Sequence, residues 1–584
     1  MIRLIPSVMF LATMCSLSAD QSHWTFRPLL DPAVPGSRAS DWARSPIDRF
    51  ILAKLTETGL APQAEADRHT LLRRTGADLI GLPPSTDEIR AFVNDPDSHA
   101  YERLVDRLLD DPQYGVRWAR HWLDVARFGE SDGILNVNGD KVRKDAWKYR
   151  DAVIRAFNDD LPFDEFVRMQ VTGTTGEHGE AYIELKQFIH LGTNLQDNDD
   201  PNDRQFHRLD DMVATTGSAF LGLTFGCARC HDHPVDPMST EEYYQFTAFF
   251  FDQFDELPKA GKKEVPLVIK EPRVLVKGSW RTPGEKVEPG FLKALMSKPA
   301  DHWRSRNTAE LDALADWLTD TRDGAGMQLA RVMVNRIWHH HFGRGLVSTP
   351  NDFGALGEAP SHPELLDWLA RRFVEGGWRI KPMHRLIMNS AVYRQTGSTD
   401  DDAASRDEEN RWLWQWRPRR LEAEMIRDRL LSVAGALRTE LYGPSLPIGD
   451  FKKSLPDTED RWRRSIYLQV HRTARQATLS LFDPANNEKS TGARATGVSP
   501  DGALFSLNSP MVWNLAGRFA ARVRSEAGTN PKEQIEQVYL LALSRPPTDE
   551  ETTIGLELFE GRSDDALVDY CHIILALNEF IYIQ

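Results

Sequence analysis

The chain has 584 residues, 41% of them hydrophobic and 27% charged, and a formal net charge of -15. At about 150 residues per domain this length excludes a single core, and the composition excludes disordered, collagen-like and membrane-spanning classes. The acidic balance argues against a nucleic-acid partner, which needs a basic footprint to meet phosphates.

In chain order, the first feature is MIRLIPSVMFLATMCSLSAD. Arg3 supplies a short basic region, an apolar run follows to about Leu17, and small residues surround a cut, so residues 1–19 read as a secretory signal peptide. Met14 before Cys15 does not fit a lipobox, which favours a soluble exported protein, periplasmic or in the cell envelope, over a lipid-anchored one. No later stretch has the apolar length of a transmembrane helix. Cleavage would leave Cys227, Cys230 and Cys571, an odd count that is not a disulfide framework.

From Ser45 to Phe254 the pattern is helical. Ser45-Pro46 is an N-cap with proline at the first helical position, and Ile47, Phe50, Ile51 and Leu55 share a face. Ser85 to Glu88 and Ser239 to Glu242 are capping boxes. In WARHWLDVARF, Trp118, Trp122 and Val125 mark a buried stripe, and Arg117, His121, Asp124 and Phe128 occupy a neighbouring face. His121 and Asp124, one turn apart, are the candidate catalytic acid/base pair; an internal salt-bridge network with Arg120 and Arg127 is the plainer reading. Asp197, Asp199 and Asp203 in an acidic loop are a candidate calcium set, although solvated turns account for them as well.

The segment GCARCHDH, residues 226–233, concentrates the chain's chemistry. In C-x-x-C-H two thiols stand one helical turn apart to bond the vinyl groups of a haem, and the next histidine reaches the iron. Cys227, Cys230 and His231 are therefore the candidate attachment and proximal-ligand residues of a c-type haem, with Met212, Met238, His207 or a histidine from elsewhere in the chain as candidates for the far face. Zinc or another transition metal is the rival cofactor, held by the cysteines with His231 or His233 and a distant ligand. A plain dithiol is less favoured, because no thioredoxin-like βαβ pattern surrounds it.

After residue 255 the run KEVPLVIKEPRVLVKGSWRTPGEKVEPG predicts short strands as a connector at 255–300. Helices resume in 301–584, among them MQLARVMVNRIWHHHFGRG, whose His339, His340 and His341 precede a glycine stop. Histidines there suit the helix dipole, with a metal role as the sharper alternative. Arg417, Arg419, Arg420, Arg463 and Arg464 offer contacts to an anionic glycan or to haem propionates, with Glu422, Glu424 and Asp428 as simpler partners. The predicted fold is mainly α, with two packed helical domains and a short β-rich segment between them. No P-loop, zincin or nucleophile-elbow motif occurs.

Long stretches resemble a known pair of domains abundant in planctomycetes. SPIDRFILAKLTETGLAP, YERLVDRLLDDPQYGVRWARHWLDVARFGESDG and LGLTFGCARCHDHPVDPMSTEEYYQFTAFF resemble the cytochrome-like PSCyt domain, expected over 24–254. RVLVKGSWRTPGEKVEPG, ARVMVNRIWHHHFGRGLVSTPNDFGALGEAPSHPELLDWLA and RRLEAEMIRD resemble its PSD-type companion. The resemblance implies an exported haem-binding protein with an electron-transfer or haem-dependent redox role, a redox partner protein, and a link to breakdown of complex polysaccharides. The alternative is a Cys/His metal protein acting as a hydrolase or as a carbohydrate- or partner-binding envelope module. Relatives often carry a cysteine near the C-terminus, where EKSTGARATGVSPDGALFSLNSP has none but keeps Arg494.

Overall fold

The computed structural model describes residues 23–36, 41–133, 140–193, 200–254, 269–449, 453–497, 500–560 and 565–584. The signal peptide expected at 1–19, Asp197, Asp199 and the first part of the expected connector lie outside these residues. No helix among the described residues is long and apolar enough to cross a membrane.

The chain is mainly helical. Local signals set the helix starts: Ser45, Ser85 and Ser239 each accept from the backbone N–H three residues on, while Asp48, Glu88 and Glu242 return the bond. Each box satisfies amides that the first helical turn leaves without partners. The predicted strands are one small antiparallel pair, Arg273–Leu275 against Pro283–Lys286. A second pair joins Arg419–Arg420 to Tyr582–Ile583, bringing the C-terminus back beside residue 420.

The helix Gln113–Val125 lies near the centre and is buried on every side. Its tryptophan face packs inward as predicted: the Trp118 indole donates to Asp78 O at 3.2 Å, and that of Trp122 to the Tyr149 hydroxyl at 3.0 Å. The helix crosses Trp147–Asn158 closely because Gly115 has no side chain; a Cβ there would stand 2.5 Å from Ile154 O.

Two apolar clusters form the interior. The larger joins Trp118, Trp122, Phe220 and Phe246 to Trp317, Trp338 and Trp416, so both helical regions feed one core. Gly222 is a seam between them. It adopts a left-handed φ of 59°, its carbonyl accepts from Phe353 N at 2.6 Å, and an added Cβ would meet Phe353 and Val332 at 3.0 Å. The smaller cluster gathers Leu421, Ile426, Phe519, Val538, Tyr570 and Cys571 in the C-terminal helices.

Candidate functional site

The polar face of the Gln113–Val125 helix is covered by chain that comes from far along the sequence. Residues 419–424 and the loop around Thr491 to Arg494 cross above it, and Thr491 N donates to Asp124 O at 3.0 Å. Between these segments and the helix Gly326–Phe342 lies a cavity of about 580 Å³, whose lining includes His121, His339, His340, Arg417, Glu422 and Arg494.

His121 is 5% exposed and stacks on His340, with ring centroids 3.4 Å apart and planes at 26°. Its Nδ1 lies 3.8 Å from Glu422 Oε1, while its Nε2 is buried without a hydrogen-bond partner. One ligand atom each from His121, His340 and Glu422 fall within 4.8 Å of one another. Burial pushes both imidazoles well below the usual histidine value, aided at His121 by Arg117 and at His340 by its neighbouring histidines. Both rings are therefore neutral at pH 7 and keep a lone pair for a proton or a cation. Burial alone would raise the Glu422 carboxyl, but the Arg117 and Arg494 guanidiniums hold it well below the carboxylate range. Arg117 grips it through two bonds of 2.7 and 3.1 Å.

Asp124 is placed differently from its predicted partner. One carboxylate oxygen accepts from Arg120 and the other from Arg494 at 2.6 Å. Arg494 continues to Glu424 at 2.5 and 3.0 Å. Asp124 thus anchors a buried ion-pair chain, and no hydrogen bond links it to His121. This is the salt-bridge arrangement weighed as the plainer reading, with Arg494 in addition to Arg120; Arg127 pairs with Asp211 instead.

The three consecutive histidines separate by function. His341 turns into the core, where Nε2 meets His384 Nδ1 at 2.8 Å and Nδ1 meets Asp78 at 3.3 Å. His339 and His340 face the cavity. The arginines divide as well: Arg419 pairs with Asp78 and Arg420 with Asp483, whereas Arg464 binds Asp428 outside the cavity. The Arg463 guanidinium is held by the carbonyls of Glu440 and Tyr442. Arg417 is exposed at the cavity wall, with no hydrogen bond or ion pair among the described residues.

The GCARCHDH segment lies elsewhere. Cys227 lies within a short 3-10 turn, Gly226–Arg229, and Cys230 caps its end; both thiols are free and exposed. His231 is also exposed, its Nδ1 2.7 Å from the Asp232 carbonyl. His233 is buried; Nδ1 accepts from Asp236 N at 2.9 Å, and Nε2 has no partner. No three ligand atoms from this segment converge within 4.8 Å among the described residues. The attachment atoms that a c-type haem needs are accessible, but the flanking rings pack on each other: Phe225 meets Phe246 edge-on at 5.1 Å, and Met212 and Met238 are 1% and 5% exposed. His207 sits 3.2 Å from the Thr193 hydroxyl. Of the calcium set, only Asp203 is described, and it accepts from the Trp280 indole.

Comparison with family profiles finds two matches in tandem: PSCyt2, a protein of unknown function (DUF1549), over residues 46–254, and PSD1, a protein of unknown function (DUF1553), over residues 312–559. The chain belongs to the PSCyt2–PSD1 family. No curated protein matches it, and no solved structure does. In this PSCyt2–PSD1 protein the cavity draws His121 from the PSCyt2 region and His340, Glu422 and Arg494 from the PSD1 region. The sequence offered Glu422 only as a partner for nearby arginines; its place beside His121 and Arg117 was not legible because those residues lie about 300 positions away.

Proposed function

We propose that the PSCyt2–PSD1 protein is an exported enzyme whose reacting centre is the corner formed by His121, His340 and Glu422, with an anionic carbohydrate as substrate. The observation that carries this reading is the convergence, in one cavity between the two family regions, of imidazoles kept neutral and a carboxylate kept ionised. Such groups are arranged to handle protons or a cation, and a cleft with strongly shifted titratable groups is where catalysis is expected. Arg417 supplies a guanidinium for a sulfate or carboxylate group of the sugar. Asp124 acts as a positioning residue through Arg494.

The test is turnover of a panel of sulfated and uronic-acid oligosaccharides, followed by chromatography of the products. We expect product from the wild type, at least 100-fold less from His121→Ala, and a raised KM with little change in kcat from Arg417→Ala. Absence of both binding and turnover across the panel would overturn the reading.

A second reading retains the c-type haem and a redox partner protein. It is favoured by the accessibility of both thiols and of His231 on the outer side of one turn. Protein made in a host with haem-attachment machinery should then show a Soret band that Cys227→Ser removes; a colourless product would end this reading.

A further inference from the structure

We propose that His121, His340 and Glu422 bind a divalent first-row transition-metal ion of the zinc or ferrous class. The proposal rests on the cavity being the working site, and it adds the cofactor. Three ligand atoms within 4.8 Å already form most of a coordination shell. Two ligands on a tetrahedral zinc ion stand about 3.3 Å apart, so modest side-chain rotation into the cavity closes the set.

A second observation points the same way. The His121 Nε2 is buried with no hydrogen-bond partner, whereas the half-buried His340 has ring contacts but no hydrogen bond among the described residues. Buried polar nitrogens normally find partners, and two imidazoles stacked face to face cannot bond each other in the ring planes. A cation beside the stack gives each ring one partner, and it satisfies the His121 Nε2 when the ring turns that nitrogen, rather than Nδ1, toward Glu422. Glu422 remains available although Arg117 grips it, because each carboxylate oxygen has two lone pairs.

The donor set selects the ion. Two imidazoles and one carboxylate suit zinc, and equally ferrous iron, whose facial triads use this combination with open positions. Calcium and magnesium prefer oxygen-only shells and are excluded on that ground. Arg117, Arg120 and Arg494 are offset locally by Asp124, Glu422 and Glu424. The ion's own charge would therefore stay uncompensated until an anionic group enters.

The experiment needs no substrate, so its outcome is independent of the carbohydrate reading. Full-length protein is stripped with chelator, reloaded separately with zinc and, without oxygen, with ferrous iron, and its metal content is measured after gel filtration. About one equivalent of one of these ions should remain in the wild type and in the Cys227→Ser/Cys230→Ser double variant. His340→Ala should lower retention at least tenfold. Retention of neither ion by the wild type, equal retention in His340→Ala, or loss confined to the cysteine variant would each overturn the proposal. Should His340→Ala fail to fold, cobalt loading of the wild type decides: visible bands without a thiolate charge-transfer band support the site, and a thiolate band or no cobalt spectrum sinks it.

Discussion

Asp124 and His121 sit one turn apart on one helix, yet the structure gives them different work. Asp124 is held by two guanidiniums and is 6% exposed. Removing one partner of a buried ion pair leaves an uncompensated charge, at a cost of about 3–5 kcal/mol. Asp124→Asn should therefore lower the unfolding free energy obtained from urea titration by an amount in that range, while Arg417→Ala, at an exposed position, leaves it within about 0.5 kcal/mol. His362 makes a separate prediction about pH. It is 4% exposed, and burial, with Lys54 and Arg411 adding to it, holds it down to about 3. Its folded value is below its unfolded one, so the unfolded chain binds a proton between pH 6.5 and about 3 that the folded chain does not. Stability from this group is present above pH 6.5 and is lost as pH falls. At pH 5 the loss is about 2 kcal/mol, and His362→Asn should reduce by that amount the fall in unfolding free energy, measured by urea titration, between pH 7 and 5.

Among the elements, the Gln113–Val125 helix decides where the site can be. It carries His121 only because it is clamped against Trp147–Asn158, and that clamp requires Gly115, whose amide also donates to Asn158 Oδ1 at 2.8 Å. Gly115→Ala forces a methyl into the Ile154 carbonyl, so we expect about 1–3 kcal/mol of destabilisation by chemical denaturation, despite the higher helix propensity of alanine. Ser239→Ala tests a feature legible in sequence. Losing this cap should cost about 1 kcal/mol and leave metal retention at the cavity unchanged. Caps, the inward tryptophan stripe and the Gly343 stop, a left-handed residue with φ 77°, were readable because each depends on neighbours within one or two turns. The separation of His341 from His340 was not. Adjacent residues on a helix point about 100° apart, and only packing against His384 and Asp78 shows which way is inward.

The molecule as a whole behaves as one folded body around its larger core. Buried side chains from Ile47 through Trp416 belong to the same cluster, and Gly222 locks against Phe353 across the join. A fragment ending at Phe254 would expose the apolar faces that Trp317, Trp338 and Trp416 now cover. We expect it to bind a hydrophobic dye and to lack a cooperative urea transition, whereas the full chain unfolds with coincident fluorescence and circular-dichroism midpoints. A fragment with its own sharp transition would contradict a shared interior.

The sequence by itself determined the helical class, the order of the family regions, the strand-bearing segment between them, the caps and the inward stripes of Ile47, Phe50, Ile51 and Leu55 and of Trp118, Trp122 and Val125. These follow from periodicity and from local hydrogen-bonding needs, which a one-dimensional pattern records. It also pointed to His121, and to GCARCHDH as a concentration of reactive side chains. The tertiary structure alone decided that His121 meets Glu422 and His340, that Asp124 is spent on Arg120 and Arg494, and that the cysteine turn lies on the surface, apart from the cavity. Those outcomes depend on which distant segments cross a given helix face. Buried charges must be neutralised by whatever the fold brings beside them, and residue spacing along the chain does not specify that neighbour.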